Sequence, residues 1–159
     1  MCIRDRYIIN LFEYYGIKKL YDLSQTEPNK IYLYFHSKGM FNYRGIGDER
    51  TKEEIILTKT IINPWSSVLN IFKNNLNINI MGMFPSTGGW IWFNFFWIRG
   101  SYIKNKCDDP KITDNRYYYE SWIADINNPK GNELYNMYKG NFIRYSGEEA
   151  LQLLDKYIL

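Results

Sequence analysis

Three observations predict an α/β domain with a mainly parallel sheet flanked by helices. Two short segments, residues 31–35 and 90–98, are apolar at nearly every position and rich in strand formers, as strands covered on both faces are. Around them, apolar residues recur at helical spacing. Helices alternating with two-faced strands build a parallel sheet with helices on its faces. Finally, 159 residues with 45% hydrophobic content suffice for one domain with its own core and are few for two.

Taken in order, residues 7–12 form an apolar run of strand length. After Gly16, Ile17, Leu20, Tyr21 and Leu23 fall at helical spacing and predict a short amphipathic helix. Glu27-Pro28-Asn29 predicts a turn. The strand at 31–35 is expected in the middle of the sheet, and its polar residues begin abruptly at His36. Thr51-Lys52-Glu53-Glu54 fits a capping box, in which Thr51 accepts from the Glu54 N–H while Glu54 reaches back, so a helix is expected from there to about Ile62. Asn63-Pro64 restarts a helix, with Asn63 as cap and Pro64 in the first turn, and Trp65, Val68, Leu69 and Phe72 as its buried stripe. Residues 77–84 read as a strand, Pro85-Ser86-Thr87-Gly88-Gly89 as a loop, 90–98 as the second two-faced strand and 101–104 as a helical turn.

Over 115–126, Tyr119, Trp122, Ile123 and Ile126 recur at helical spacing, which sets Arg116 and Glu120 together on another face. Asn127-Asn128-Pro129-Lys130-Gly131 is a polar break, and Ser146-Gly147-Glu148-Glu149 is a second box-like start, opening a helix to about Ile158. Met1-Cys2-Ile3-Arg4-Asp5-Arg6 resembles translated adapter sequence and is set aside, which leaves a single domain over 7–159.

Several classes of function are excluded. The net charge of +3, from 20 basic and 17 acidic residues, is spread along the chain without the basic stripe that nucleic-acid binding needs. The most apolar run is about half the ~20 residues that span a bilayer, so no membrane span is expected. With two cysteines, one of them in the leader, a reducing cytoplasmic setting is the default. One histidine rules out a histidine-rich metal centre. Asp48-Glu49 and Asp108-Asp109 lack further ligands at metal spacing and read as solvated loops. No G-x-G-x-x-G turn, Walker A loop or G-x-S-x-G elbow is present.

The residues that could carry chemistry start with His36-Ser37-Lys38-Gly39, because ligands of open α/β sheets collect beyond the carboxyl ends of strands. Gly39 would let the backbone approach a ligand, Lys38 could neutralise phosphate, and His36 could donate a hydrogen bond or shuttle a proton. The plainer alternative is a turn with a hydrogen-bonded histidine. Arg116 and Glu120 read either as an acid/base with its positioning partner or as a helix ion pair worth ~0.2–0.5 kcal/mol. Asn94 could bind a sugar hydroxyl or pin a neighbouring strand. Trp90, Trp92 and Trp97 read as core rather than as sugar-stacking residues.

Leu20-Tyr21-Asp22-Leu23-Ser24, Ile31-Tyr32-Leu33-Tyr34-Phe35-His36-Ser37-Lys38-Gly39, Trp92-Phe93-Asn94-Phe95-Phe96-Trp97 and Arg116-Tyr117-Tyr118-Tyr119-Glu120-Ser121-Trp122-Ile123 together resemble a family of glycosyltransferase-like proteins, over about residues 15–124. The resemblance implies an incomplete GT-A, Rossmann-like fold and transfer of a sugar from a nucleotide-sugar donor to a glycan or other hydroxyl acceptor. It implies Glu120 as the base on the acceptor hydroxyl and Asn94 near the sugar or acceptor, with Ser37, Lys38, Gly39 and Arg116 binding substrate. Mn2+ or Mg2+ would accompany an Asp-x-Asp motif, but His36-Ser37-Lys38 stands in that place. His36 and Lys38 would then supply the positive charge facing the departing diphosphate. Only one short strand precedes Gly16, so an N-terminally truncated domain is expected. A non-catalytic carbohydrate-binding or interaction module on the same scaffold is the alternative reading, and a structural piece of a larger assembly is a third.

Overall fold

The helix expected after Gly16 forms and is longer at both ends: α1 spans Tyr14–Thr26 and buries Ile17, Leu20 and Ser24. The computed structural model describes residues 11, 13–36, 47–115, 117–124 and 133–158. The strand expected at 7–12 and the polar break at 127–131 therefore lie outside the described residues, apart from Leu11, which is not in a strand. After α1 come β1 (Ile31–Tyr34), α2 (Gly47–Leu57), a π-helical turn (Thr58–Ile62), α3 (Trp65–Asn74) and β2 (Ile80–Gly82). A short 3-10 turn (Trp92–Asn94), β3 (Phe96–Arg99), α4 (Gly100–Lys106), α5 (Tyr117–Ser121), β4 (Leu134–Asn136) and α6 (Gly147–Ile158) complete the order.

The four described strands form one sheet in the order β1-β3-β2-β4, with β3 antiparallel to both β1 and β2 and only β2 and β4 pairing in parallel. The fold is thus α/β, but the expected mainly parallel sheet is a mixed one. β1 is an edge strand among those described, not a central one. An apolar strand reports that layers cover both its faces, and it carries no information about what lies beside it. The reversed β3 fills the place next to β1 that a parallel neighbour was expected to take.

Alternation along the strands sorts the core into two layers. Tyr34, Ile80, Phe96, Ile98 and Leu134 pack with Ile17 and Leu20 of α1, Tyr102 and Ile103 of α4, and Tyr119 of α5. Met81 and Trp97 point the other way, to Leu57 of α2, Val68 and Phe72 of α3, and Ala150 and Leu154 of α6. Helices therefore cover both faces, as the apolar pattern required.

Local differences have local causes. The helix predicted from Thr51 starts at Gly47 and reaches Ile62 through the π-helical turn. Asn63 keeps helical angles (φ −58, ψ −38) and so cannot cap α3, because an N-cap residue leaves the helical region. The buried side of α3 is rotated from the expected stripe: Val68 and Phe72 are buried, whereas Trp65 is 57% exposed. The strand expected over 90–98 is half a strand, because Phe93 and Asn94 take left-handed angles that end the extended run before Phe96. α5 stops at Ser121, and Trp122 and Ile123 enter the core from the following turn. β4 was not anticipated; three residues containing an asparagine carry too little alternation to signal a strand. No helix among the described residues is long and apolar enough to cross a membrane.

The second box forms as predicted. Glu149 N–H donates to Ser146 Oγ at 3.3 Å and Ser146 N–H donates back to Glu149 Oε2 at 2.8 Å, at the first turn of α6. The Ser146 N–H, and after it the Ser146 hydroxyl, which donates to the same oxygen at 3.0 Å, favour the ionised carboxylate and hold its pKa below the ordinary glutamate value. A depressed pKa contributes stability that is present above the unfolded-state value and lost as the pH falls through the folded one. Ser146→Ala is expected to cost about 1 kcal/mol at neutral pH. The gap between parent and variant in urea midpoint should narrow in acid; a gap unchanged below the carboxylate range would contradict the assignment.

Candidate functional site at the carboxyl edge of the sheet

Because β3 is antiparallel to β1 and β2, and β2 is parallel to β4, the strands β1, β2 and β4 run in one direction. Their carboxyl ends and the amino end of β3 form a single edge. Tyr34, Phe96, Gly82 and Asn136 make the row at its base. Gly82 is required there, since a Cβ would lie 2.4 Å from the Ile91 side chain and 2.9 Å from the Phe95 carbonyl. The chain between β2 and β3 can fold this closely over the sheet only where that atom is missing.

Polar burial and backbone strain concentrate at this edge. Of the described polar side chains that are buried, Ser86, Asn94 and Asn136 lie here and Ser24 elsewhere. The described non-glycine residues with positive φ are Phe84, Phe93 and Asn94, all within this region. Such angles cost roughly 1–3 kcal/mol each and persist where packing enforces them. Ser86 and Asn136 build the edge itself. Ser86 Oγ accepts from Gly88 N–H at 2.9 Å, and Asn136 donates to Tyr145 Oη at 2.9 Å while accepting from Tyr138 N–H at 3.0 Å.

Asn94 is differently placed. Its Nδ2 donates to Glu13 Oε2, while its Oδ1 is buried without a hydrogen-bond partner among the described residues. The same Glu13 oxygen accepts the Tyr34 hydroxyl at 2.8 Å. The other carboxylate oxygen, Oε1, stands 3.5 Å from His36 Nε2, with the Glu13 and His36 side chains 19% and 24% exposed.

Local sequence explains the meeting. His36 follows Tyr34 by two residues and so returns to the α1 side of the sheet. Its ring sits 5.6 Å from that of Phe95 and 6.3 Å from that of Tyr34. Tyr34 stacks on Phe96, with centroids 5.2 Å apart, and reaches α1 where Gly16 leaves room; a Cβ at Gly16 would lie 3.1 Å from the ring. Burial, then the Glu13 charge and hydrogen bond, push the Tyr34 pKa far up, so its hydroxyl stays a donor.

Of the residues singled out in the sequence, His36 and Asn94 are joined through Glu13. Glu120 lies on α5, on the same side of the sheet. It follows Tyr119, whose ring is 6.4 Å from that of Tyr14, the neighbour of Glu13, and α5 packs against the Trp92–Asn94 turn. Ser37, Lys38, Gly39 and Arg116 lie outside the described residues. Trp97 is core, as read. Trp90 and Trp92 are only partly buried and stand in the loop at the edge, with rings 5.6 Å apart.

Glu13 was missed. Its one signal is a carboxylate set among aromatics in Phe12-Glu13-Tyr14-Tyr15, just before a helix. Nothing local announces a partner 81 residues away.

An imidazole at such an edge can donate a hydrogen bond or pass a proton, although His36 Nε2 and Glu13 Oε1, 3.5 Å apart, are not hydrogen-bonded to each other. No group of three His, Cys, Asp or Glu that could hold a metal ion occurs among the described residues. No family model, curated protein or solved structure matches the chain.

Proposed function

We propose that this chain is a glycosyltransferase-like domain that moves a sugar from a nucleotide-diphospho-sugar to a hydroxyl acceptor, with the sugar donor seated at the carboxyl edge. The observation that carries this reading is the His36–Glu13 pair at that edge. It places an imidazole where the resemblance calls for a group facing a departing diphosphate. The shared direction of β1, β2 and β4 supports the GT-A-like reading of the sheet, since ligands gather at carboxyl ends of such strands.

In the step proposed, the acceptor oxygen bonds to the anomeric carbon as the bond from that carbon to the diphosphate oxygen breaks. Glu120 takes the hydroxyl proton, and the diphosphate leaves with the bonding electrons, accepting a hydrogen bond from His36. Asn94, which the resemblance places near the sugar or acceptor, lies at the same edge with its Oδ1 buried.

Titrating nucleotide sugars by calorimetry, with and without manganese, and following release of nucleotide with a glycan acceptor tests the reading. Turnover is expected in the parent, with His36→Gln and Glu120→Gln each slower by about 10²–10⁴-fold. Unchanged turnover in both variants would sink the assignment. The partly buried Trp90 and Trp92 at the same edge favour a second reading, a non-catalytic carbohydrate-binding module, because such rings can stack on sugars. Glycan binding without nucleotide release would decide for it.

A further inference from the structure

We propose that the outer flank of α3 is a docking surface for an anionic lipid bilayer, with Trp65, Leu69 and Leu76 entering the headgroup layer and Lys59 and Lys73 facing its charge. This goes beyond sugar transfer and does not depend on it.

α3 buries Val68 and Phe72 and leaves apolar side chains outside as well. Trp65 is 57% exposed, Leu69 36% and Leu76, just beyond the helix, 80%. Trp65, Leu69 and Lys73 are spaced four apart, so they follow one another along one flank of the helix. Trp92, Trp97 and Trp122 donate their indole N–H groups to backbone carbonyls, whereas Trp65 makes no such bond among the described residues. An indole with its ring in apolar surroundings and its N–H turned to water suits the boundary between hydrocarbon and headgroups.

Charge selects the occupant. No aspartate or glutamate occurs between Glu54 and Asp108, and the charged residues of that stretch are Lys59, Lys73, Arg99, Lys104 and Lys106. Lys59 and Lys73 are exposed, and Arg99 adds a guanidinium at the carboxyl end of α3, where it donates to the Phe72 and Asn75 carbonyls. An apolar flank that is rimmed by cations and bears no carboxylate of its own matches a surface that is anionic at its face and apolar within. A second copy fits less well, because a two-fold contact would set this basic flank against itself. Three side chains are also few against the ~800 Å² per partner that a stable protein interface buries.

Co-sedimentation of the full-length protein with phosphatidylcholine vesicles, with and without about a quarter phosphatidylserine, tests this. Binding is expected to the anionic vesicles and should weaken as salt is raised. Trp65→Ser should weaken it about tenfold, and Lys59→Gln/Lys73→Gln by about the same factor. These positions are exposed, so both variants should keep the urea midpoint of the parent. If Trp65→Ser does not fold, Leu76→Ser decides in its place and should weaken binding severalfold. No sedimentation with the anionic vesicles, equal sedimentation with the neutral ones, or binding unchanged in either variant overturns the proposal. Self-association that is lost in Trp65→Ser, without vesicle binding, also overturns it and gives the face to a second copy.

Discussion

Phe96→Ala is expected to lower stability by about 3–5 kcal/mol, the usual cost of truncating a fully enclosed aromatic ring. Phe96 is inaccessible to solvent and pairs with Tyr34 on one side and Gly82 on the other. Glycine at Gly82 leaves no side chain to move into the gap, and the Ile91 side chain already presses on that position. Relaxation would have to come from Tyr34, whose ring stacks on Phe96 at 5.2 Å. Any shift of Tyr34 moves the hydroxyl that holds Glu13. Phe96→Ala should thus lower the urea midpoint strongly. Phe96→Leu, which keeps most of the volume, should cost less than half as much. Equal losses for both variants would show that ring packing is not the cause.

Arg99→Met is expected to cost about 2–3 kcal/mol through unpaired carbonyls. Arg99 closes β3, and its guanidinium reaches across to the end of α3. It donates from Nε to the Ile78 carbonyl at 2.7 Å and from Nη2 to those of Phe72 at 2.5 Å and Asn75 at 3.2 Å, while lying 4.9 Å from the Phe72 ring centroid. The last carbonyls of a helix have no internal partner, and a cation there also opposes the negative end of the helix dipole. Burial pulls the Arg99 pKa down, yet a guanidinium stays charged at any pH at which the protein is folded. Arg99→Lys should recover only part of the loss, since an ammonium cannot serve three carbonyls in these directions and stack as well. Full recovery by lysine in denaturant titration would show that charge alone matters.

Much of the local structure was legible. The Ser146–Glu149 box and the helix after Gly16 follow from capping and apolar spacing, which involve residues a few positions apart, whereas Thr51, read as a cap, lies inside α2. The edge that carries His36 was also legible, because a two-faced apolar strand that ends abruptly in polar residues marks its own carboxyl end. The sheet was read less well. The 90–98 run looked like one strand because hydrophobicity does not report φ, and the left-handed Phe93 and Asn94 exist only because the chain must turn before pairing with both β1 and β2. Trp65 was placed in the core because spacing identifies a stripe to within one helical neighbour, and packing selects which flank is covered.

By itself the sequence determined where several of the helices lie and that both faces of the sheet are covered. These properties come from short-range periodicity and capping, which the chain carries wherever it folds. Only the tertiary structure decided the strand order, the reversal of β3, the edge position of β1 and the partner of His36. Glu13 meets Asn94 across 81 residues because α1 lies over the amino end of β3, and that depends on how whole elements pack rather than on any pattern near Glu13.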